Sequence, residues 1–408
     1  MARVEQLSLG RAARHSVDYA CAALGRESRS SRTLEPPRYE WRWAMTARIM
    51  IMAGGTGGHV FPALAVADEL RARGAEVFWL GTRNGMEAEL VPQAGIEMEW
   101  ISISGLRGKG LLGWLLAPLR LLKATFQSLE VIMRRRPMAI LGMGGFVAGP
   151  GGLVSWLLQK PLLIHEQNAI AGLTNKLLAR VANKVMQAFP NTFEKSDRVV
   201  DCGNPVRQEI IALAEPEQRF ANRDGGLHLL VLGGSLGAQA LNEIVPEALA
   251  MLPTEQRPEV WHQAGKRNIA AAQQTYKDSS VDARLEPFIA DMAEAYAWAD
   301  VVLCRAGALT VSELAAAGVG AMLVPFPFAV DDHQTANGRY LSDNGAALLL
   351  PQAELSAARL KEILTGFVRD CRENNRGELL QMANRARALA KPLAVKQVAD
   401  LCMEASNA

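Results

Sequence analysis

The sequence predicts an α/β fold of two doubly wound, parallel lobes. Three observations carry that expectation: short apolar runs suited to buried strands, glycine-rich loops that follow several of them, and a restart of the same strand-loop-helix unit half-way along the chain. The first unit opens at Arg48-Ile49-Met50-Ile51-Met52-Ala53, an apolar run of the kind that forms a buried parallel strand. It enters Gly54-Gly55-Thr56-Gly57-Gly58-His59, after which Pro62 to Leu70 reads as a helix opened by proline at an early position. Further strands are expected at Glu76 to Leu80, Met138 to Met143, Leu162 to His165 and Lys184 to Ala188. The pattern restarts at Leu227 to Leu232, which runs into Gly233-Gly234-Ser235-Leu236-Gly237-Ala238 and a helix from about Gln239 to Leu252. Strands near Glu259 to Gln263, Ala283 to Pro287, Val301 to Cys304, Ala321 to Val324 and Ala346 to Leu350 complete the second series, and the tail from Ala353 is helical in pattern.

Composition sets the outer limits. A chain of 408 residues exceeds one ordinary hydrophobic core, and 49% apolar content with 35 glycines describes a globular protein rich in tight turns. The formal net charge of +2, with no long basic block, gives no reason to expect a nucleic-acid partner. Five cysteines, odd in number and never spaced C-x-x-C, suggest neither a disulfide framework nor a zinc site. No window offers the run of about 20 apolar residues that crosses a bilayer. Residues 1–44 carry eight arginines, no lysine and no hydrophobic period, and read as a disordered extension. The expected organisation is therefore 1–44 extension, 45–205 first lobe, 206–385 second lobe and 386–408 a terminal helix returning to the first lobe.

Three glycine loops stand where strands hand over to helices: Gly54 to Gly58, Gly142 to Gly152, and Gly233 to Gly237. Such loops let backbone N–H groups approach an anion, and the helix N-terminus adds a favourable dipole for phosphate. None spells G-x-G-x-x-G with a ribose-binding acid, and none is a Walker A sequence, which disfavours NAD and ATP. A single loop of this kind is as readily a tight turn; three at equivalent strand ends point to a phosphate-bearing ligand in the crevice. In Cys304 to Leu314 a strand ends in small residues and starts a helix carrying Glu313. A carboxylate there can accept from the vicinal hydroxyls of a ribose, or can serve only the helix dipole.

Four segments in this order, Gly54-Gly55-Thr56-Gly57-Gly58-His59, His165-Glu166-Gln167-Asn168, Gly233-Gly234-Ser235 and Ala306 to Glu313, closely resemble the MurG family of glycosyltransferases. The resemblance spans about Met45 to the C-terminus. It implies a GT-B fold of two Rossmann-like lobes and inverting transfer of N-acetylglucosamine from UDP-GlcNAc to the 4-hydroxyl of the MurNAc of lipid I, giving lipid II and UDP. It also implies a peripheral position on the cytoplasmic face of the inner membrane. Residue by residue, it implies that Ser235 meets the pyrophosphate and that the backbone near Phe288 and Ile289 meets the uracil. Ala308, Leu309, Thr310, Val311, Ser312 and Glu313 would meet phosphates and ribose, and Gln334, with Asn337 near it, the sugar hydroxyls. Thr56, Gly57, Gly58, Asn168 and Arg207 would line the cleft. The stretch Pro327 to Gln334 varies within the family, so the match at Gln334 is open by one position.

Transfer needs a base and a stabilised leaving group. His59 is the first candidate base, because an unperturbed histidine titrates near neutrality, although its ring could instead cap a helix start; Glu166 is the second. No cofactor is expected, and no metal either, since there is no D-x-D motif and Asp331-Asp332 reads as a loop feature. Leu106 to Lys123 interleaves apolar and basic residues and fits an anionic membrane surface, or alternatively a buried helix with snorkelling bases. A GT-B UDP-GlcNAc 2-epimerase and a non-catalytic nucleotide-sugar-binding protein are the rival readings.

Overall fold

The computed structural model describes residues 46–103, 116–221, 223–234 and 237–407. The expected extension before Met45, the Leu106–Leu115 part of the apolar-basic stretch, and Ser235 lie outside the described residues.

Among the described residues two all-parallel sheets form. The first has strands β1 (Arg48–Met52), β2 (Glu76–Gly81), β3 (Glu97–Trp100), β4 (Ala139–Gly142), β5 (Leu162–Glu166), β6 (Lys184–Gln187) and β7 (Val199–Asp201), in the order β3-β2-β1-β4-β5-β6-β7. The second has β8 (His228–Leu232), β9 (Glu259–Gln263), β10 (Arg284–Glu286), β11 (Val301–Cys304), β12 (Gly320–Leu323) and β13 (Ala347–Leu349), in the order β10-β9-β8-β11-β12-β13. In both sheets the opening strand sits inside, so β1 pairs with β2 and β4, and β8 with β9 and β11. The winding therefore reverses at β1/β4 and at β8/β11. These are the topological switch points, where loops at the strand C-termini diverge and leave a crevice.

Strand alternation divides the first lobe into two buried layers. Ile49, Ile51 and Trp79 face the helix Gly57–Ala72, while Met50, Met52, Phe78 and Leu80 face the helices Ala117–Arg135 and Ala148–Leu157. Apolar side chains on both faces are what a parallel sheet covered by crossover helices requires. The last helix, Ala394–Asn407, inserts Val398, Ala399 and Cys402 into the first of these layers. It is also pinned to the helix Gly57–Ala72 by an Arg73–Asp400 ion pair at 2.5 Å.

Two strands, β3 and β7, have no counterpart in the sequence expectation. Both are sheet edges. Glu97-Met98-Glu99-Trp100 offers little apolar signal, and it is held by ion pairs of Arg134 and Arg135, on the helix Ala117–Arg135, with Glu97 and Glu99. An edge strand half-covered in this way needs no continuous hydrophobic run.

Candidate active site

At the first switch point, the loops after β1 and β4 press on one another. Gly145 has φ +83°, and a Cβ placed there would lie 2.4 Å from the carbonyl oxygen of Gly54, so only glycine permits the approach. Beneath them Glu87 is fully buried and accepts from Gly55 N–H at 3.0 Å, Thr82 N–H at 3.0 Å and the Thr82 hydroxyl at 2.7 Å. A buried carboxylate that accepts from the loops after β1 and β2 together ties the two loops to one another. Thr56 stands at the N-cap of the helix Gly57–Ala72 without using its side chain as the cap, and Gly57 and Gly58 form the first turn.

His59 lies in that first turn, half-buried, with Nδ1 3.0 Å from Oε1 of Gln167. Gln167 donates through Nε2 to the Met143 carbonyl at 2.8 Å and faces Nδ1 of His165 at 3.3 Å. His165 is buried, and Nε2 lies 2.9 Å from the carbonyl of Gly203. Burial pushes the His165 imidazole down to about 4, so it is neutral at ordinary pH.

The second candidate base, Glu166, has a different environment. One of its oxygens accepts from the Asn168 backbone at 3.0 Å and side chain at 3.2 Å; the other accepts from Gly172 N–H and Asn175 Nδ2, both at 3.0 Å. Four donors on a buried carboxylate leave it no free lone pair for a substrate proton. It shapes the loop that carries Gln167 and Asn168.

That loop is bonded to the second lobe. Asn204 donates through Nδ2 to the Gln167 carbonyl at 3.0 Å and to Ser312 Oγ at 3.0 Å. Asn337, fully buried, accepts from Ala169 N–H at 2.8 Å and donates to Asn168 Oδ1 and the Ala306 carbonyl, both at 3.2 Å. The expectation that Asn337 lies near sugar hydroxyls meets a side chain already engaged in joining the lobes. Asn168 is likewise shared between Glu166 and Asn337.

In the second lobe the helix Ala308–Ala317 starts directly after β11, with Gly307 as its N-cap. Leu309 and Thr310 are half-buried at its first turn, whereas Ala308 and Val311 are buried and the Val311 N–H is already bonded to the Gly307 carbonyl at 2.9 Å. The Ser312 hydroxyl donates back to the Ala308 carbonyl at 2.9 Å. Glu313 falls in the second turn, 6% exposed, where it accepts from Arg207 Nη2 at 3.1 Å and from the Tyr296 hydroxyl at 3.1 Å. Burial pushes its carboxyl above the usual range, against the pull of Arg207 and of the two hydrogen bonds. Arg207 also stands over the ring of Phe61, 5.9 Å from its centroid, so one guanidinium touches both lobes. Ile289 is buried beside the half-exposed Phe288. Gln334 accepts from Phe326 N–H at 2.9 Å, and Asp331 and Asp332 form a turn with φ values of +53° and +50°.

Hydrogen bonds thus link His59 through Gln167 and Asn204 to Ser312, and Glu166 through Asn168 to Asn337, while Arg207 pairs separately with Glu313 on the same helix as Ser312. Sequence reasoning missed Gln167, Asn204 and Tyr296. Gln167 lay inside a motif already singled out, whereas Tyr296 and Asn204 carry no local signal, because their partners are remote in sequence.

Residues 49–187 match the glycosyltransferase family 28 N-terminal domain, and residues 228–398 match the family 28 C-terminal domain. The chain is 58% identical over 363 residues to the UDP-N-acetylglucosamine--N-acetylmuramyl-(pentapeptide) pyrophosphoryl-undecaprenol N-acetylglucosamine transferase of Nitrosococcus oceani, covering 89% of this chain and 100% of that one. The enzyme of the same name from Marinobacter nauticus is 54% identical, covering 88% and 98%. The crystal structure of Acinetobacter baumannii MurG is 44% identical with a TM-score of 0.75, covering 88% of this chain and 99% of that one. With both domains matched in order and relatives aligned over nearly their whole length, the chain belongs to glycosyltransferase family 28 and, within it, to the MurG family.

Proposed function

We propose that the protein transfers N-acetylglucosamine from UDP-GlcNAc to the 4-hydroxyl of the MurNAc of lipid I, with inversion, releasing lipid II and UDP. One observation carries the mechanism: the bonded path from His59 through Gln167 and Asn204 to Ser312, which ties the candidate base to the N-terminus of the helix Ala308–Ala317. That helix end suits the donor phosphates, since its free N–H groups and dipole favour the charge that develops as UDP departs. The acceptor oxygen forms its bond to the anomeric carbon while the bond to the UDP oxygen breaks, and the hydroxyl proton passes to His59. Thr56, Gly57, Gly58, Asn168 and Arg207 line the crevice; Ser235, Ile289, the 308–313 turn and Gln334 hold the donor. In this reading 45–205 is the acceptor lobe, 206–385 the donor lobe and 386–408 the returning helix, with 1–44 outside both.

An exposed apolar face supports the lipid side of this reading. Leu119, Leu122 and Phe126 follow helical spacing on Ala117–Arg135, opposite the buried Ala124, Ser128, Val131 and Ile132. Leu153, Trp156 and Leu157 repeat the spacing on the packed neighbour Ala148–Leu157, and Leu173 and Leu177 on the helix Leu173–Leu178. Lys123 and Lys176 project from the same stripes. Apolar stripes with adjoining lysines suit the anionic cytoplasmic face of a membrane carrying the acceptor, and among the described residues no helix is long and apolar enough to cross one.

The test is transfer of radiolabelled GlcNAc from UDP-GlcNAc to a lipid I analogue. Label in the lipid fraction, with stoichiometric UDP, is expected. Conversion of UDP-GlcNAc to an isomeric sugar nucleotide without acceptor would point to an epimerase instead.

A further inference from the structure

The hydrogen bonds around His59 determine which of its two nitrogens carries the proton. A carbonyl oxygen only accepts, so the 2.9 Å contact between His165 Nε2 and the Gly203 carbonyl places the hydrogen on Nε2. His165 is buried and neutral, so its single N–H is then used and Nδ1 is a lone pair. The Gln167 atom facing that lone pair at 3.3 Å must be its NH2 group. The Met143 carbonyl at 2.8 Å demands the same of the same atom. With the nitrogen side of the amide fixed twice over, Oε1 is the atom 3.0 Å from His59 Nδ1, and an amide oxygen cannot donate. His59 Nδ1 therefore bears the hydrogen.

A second feature encloses that contact. Gly144 has φ +95°, and a Cβ there would lie 2.8 Å from His59 Nδ1 and 3.3 Å from Gln167 Oε1. Glycine thus lets the loop close over the hydrogen bond.

We propose that Gln167, itself oriented by His165 and the Met143 carbonyl, is a positioning residue that holds His59 in the Nδ1–H tautomer and so makes Nε2 the basic nitrogen. The catalytic half rests on the reading of His59 as the base. In free histidine the opposite tautomer predominates, and the partner of one ring nitrogen sets the state of the other. When Nε2 takes the acceptor proton, the Nδ1–H stays on the amide oxygen. The ring therefore keeps its orientation as it becomes an imidazolium.

The test is nitrogen-15 spectroscopy of the imidazoles in the full chain labelled at histidine, with His59 signals identified by their loss in H59A. The wild type is expected to show an Nδ1–H neutral ring. Q167M, which removes the acceptor, is expected to move His59 toward Nε2–H and to lower kcat by about 10-fold or more, with the Kd for UDP unchanged. Q167E restores an acceptor opposite Nδ1, so it should return His59 toward the Nδ1–H state and recover part of kcat relative to Q167M. An Nε2–H ring in the wild type, or an Nδ1–H ring that survives Q167M, overturns the tautomer assignment. If Q167M fails to fold, the wild-type spectrum decides alone. Undiminished kcat in H59A removes the base reading, and with it the catalytic half, whatever tautomer is seen.

Discussion

Arg207 and Glu313 meet at 3.1 Å, a guanidinium from the connection between the lobes against a carboxylate in the second turn of the helix Ala308–Ala317. Tyr296 takes the other carboxylate oxygen at 3.1 Å. Glu313 is therefore an oriented acceptor, with one lone pair left on each oxygen, and a ribose presenting two vicinal hydroxyls matches that geometry. In the wild type, UDP should bind more tightly than 2′-deoxy-UDP, by about 1–3 kcal/mol for a buried carboxylate left short of a hydrogen bond. Glu313→Ala should weaken UDP and erase most of the difference. Calorimetry on both ligands checks this, and an unaltered affinity ratio sinks the ribose assignment.

The same carboxylate has a pH signature. Burial raises its pKa in the fold, so the ionised form is disfavoured there relative to the unfolded chain. Stability is thus lost as pH rises from the ordinary value of 4.5 through the raised folded value. Glu313→Gln, which mimics the protonated form, should melt above the wild type at pH 7, with the gap closing toward pH 4. A gap that is constant with pH would show that Glu313 is not the titrating group.

The two candidate bases separate by what each substitution disturbs. His59→Ala should lower kcat by about 100-fold with little change in melting temperature or UDP affinity. Glu166→Gln turns an amide N–H2 toward groups that are themselves donors, and should destabilise by about 1–3 kcal/mol. Denaturant unfolding read beside kcat decides. A fully stable Glu166→Gln enzyme with kcat abolished, next to an active His59→Ala enzyme, would move the base to Glu166.

His165 gives an acid-side prediction. Its folded pKa of about 4 lies below the ordinary 6.5, so its contribution is whole above 6.5 and drains away as pH falls toward 4. The loss should be on the order of 3 kcal/mol over that interval. Urea unfolding at several pH values should show the slope, and His165→Gln should flatten it.

Replacing Leu119, Leu122 and Phe126 with Ser should reduce binding to anionic vesicles while turnover on a short-chain soluble acceptor persists. These side chains are 64%, 54% and 62% exposed, so the fold gives up little packing. Unchanged vesicle binding would remove the membrane role from this face.

The sequence by itself determined the lobes. Runs such as Ile49 to Met52 and Leu229 to Leu232 are apolar on both faces, and only a parallel sheet with helices on each side buries both. The restart at Leu227 announced the second lobe, and glycines after the inner strands marked the switch points, because these features are local in the chain. Edge strands escaped notice, since β3 is half-exposed and held by arginines more than 30 residues away. The roles of neighbouring residues inside one motif were also beyond reach. Glu166 and Gln167 adjoin in sequence, yet their partners differ: Glu166, the last residue of β5, is saturated by Asn168, Gly172 and Asn175, whereas Gln167, just beyond the strand, meets His59 across a separation of 108 residues. Asn337, which the resemblance places near the sugar hydroxyls, holds Ala169 N–H and Asn168 Oδ1 of the other lobe, bonds that its residue type alone does not reveal. Residue type and spacing fix what a side chain can donate or accept, whereas only the packing of one lobe on the other decides which partner arrives first.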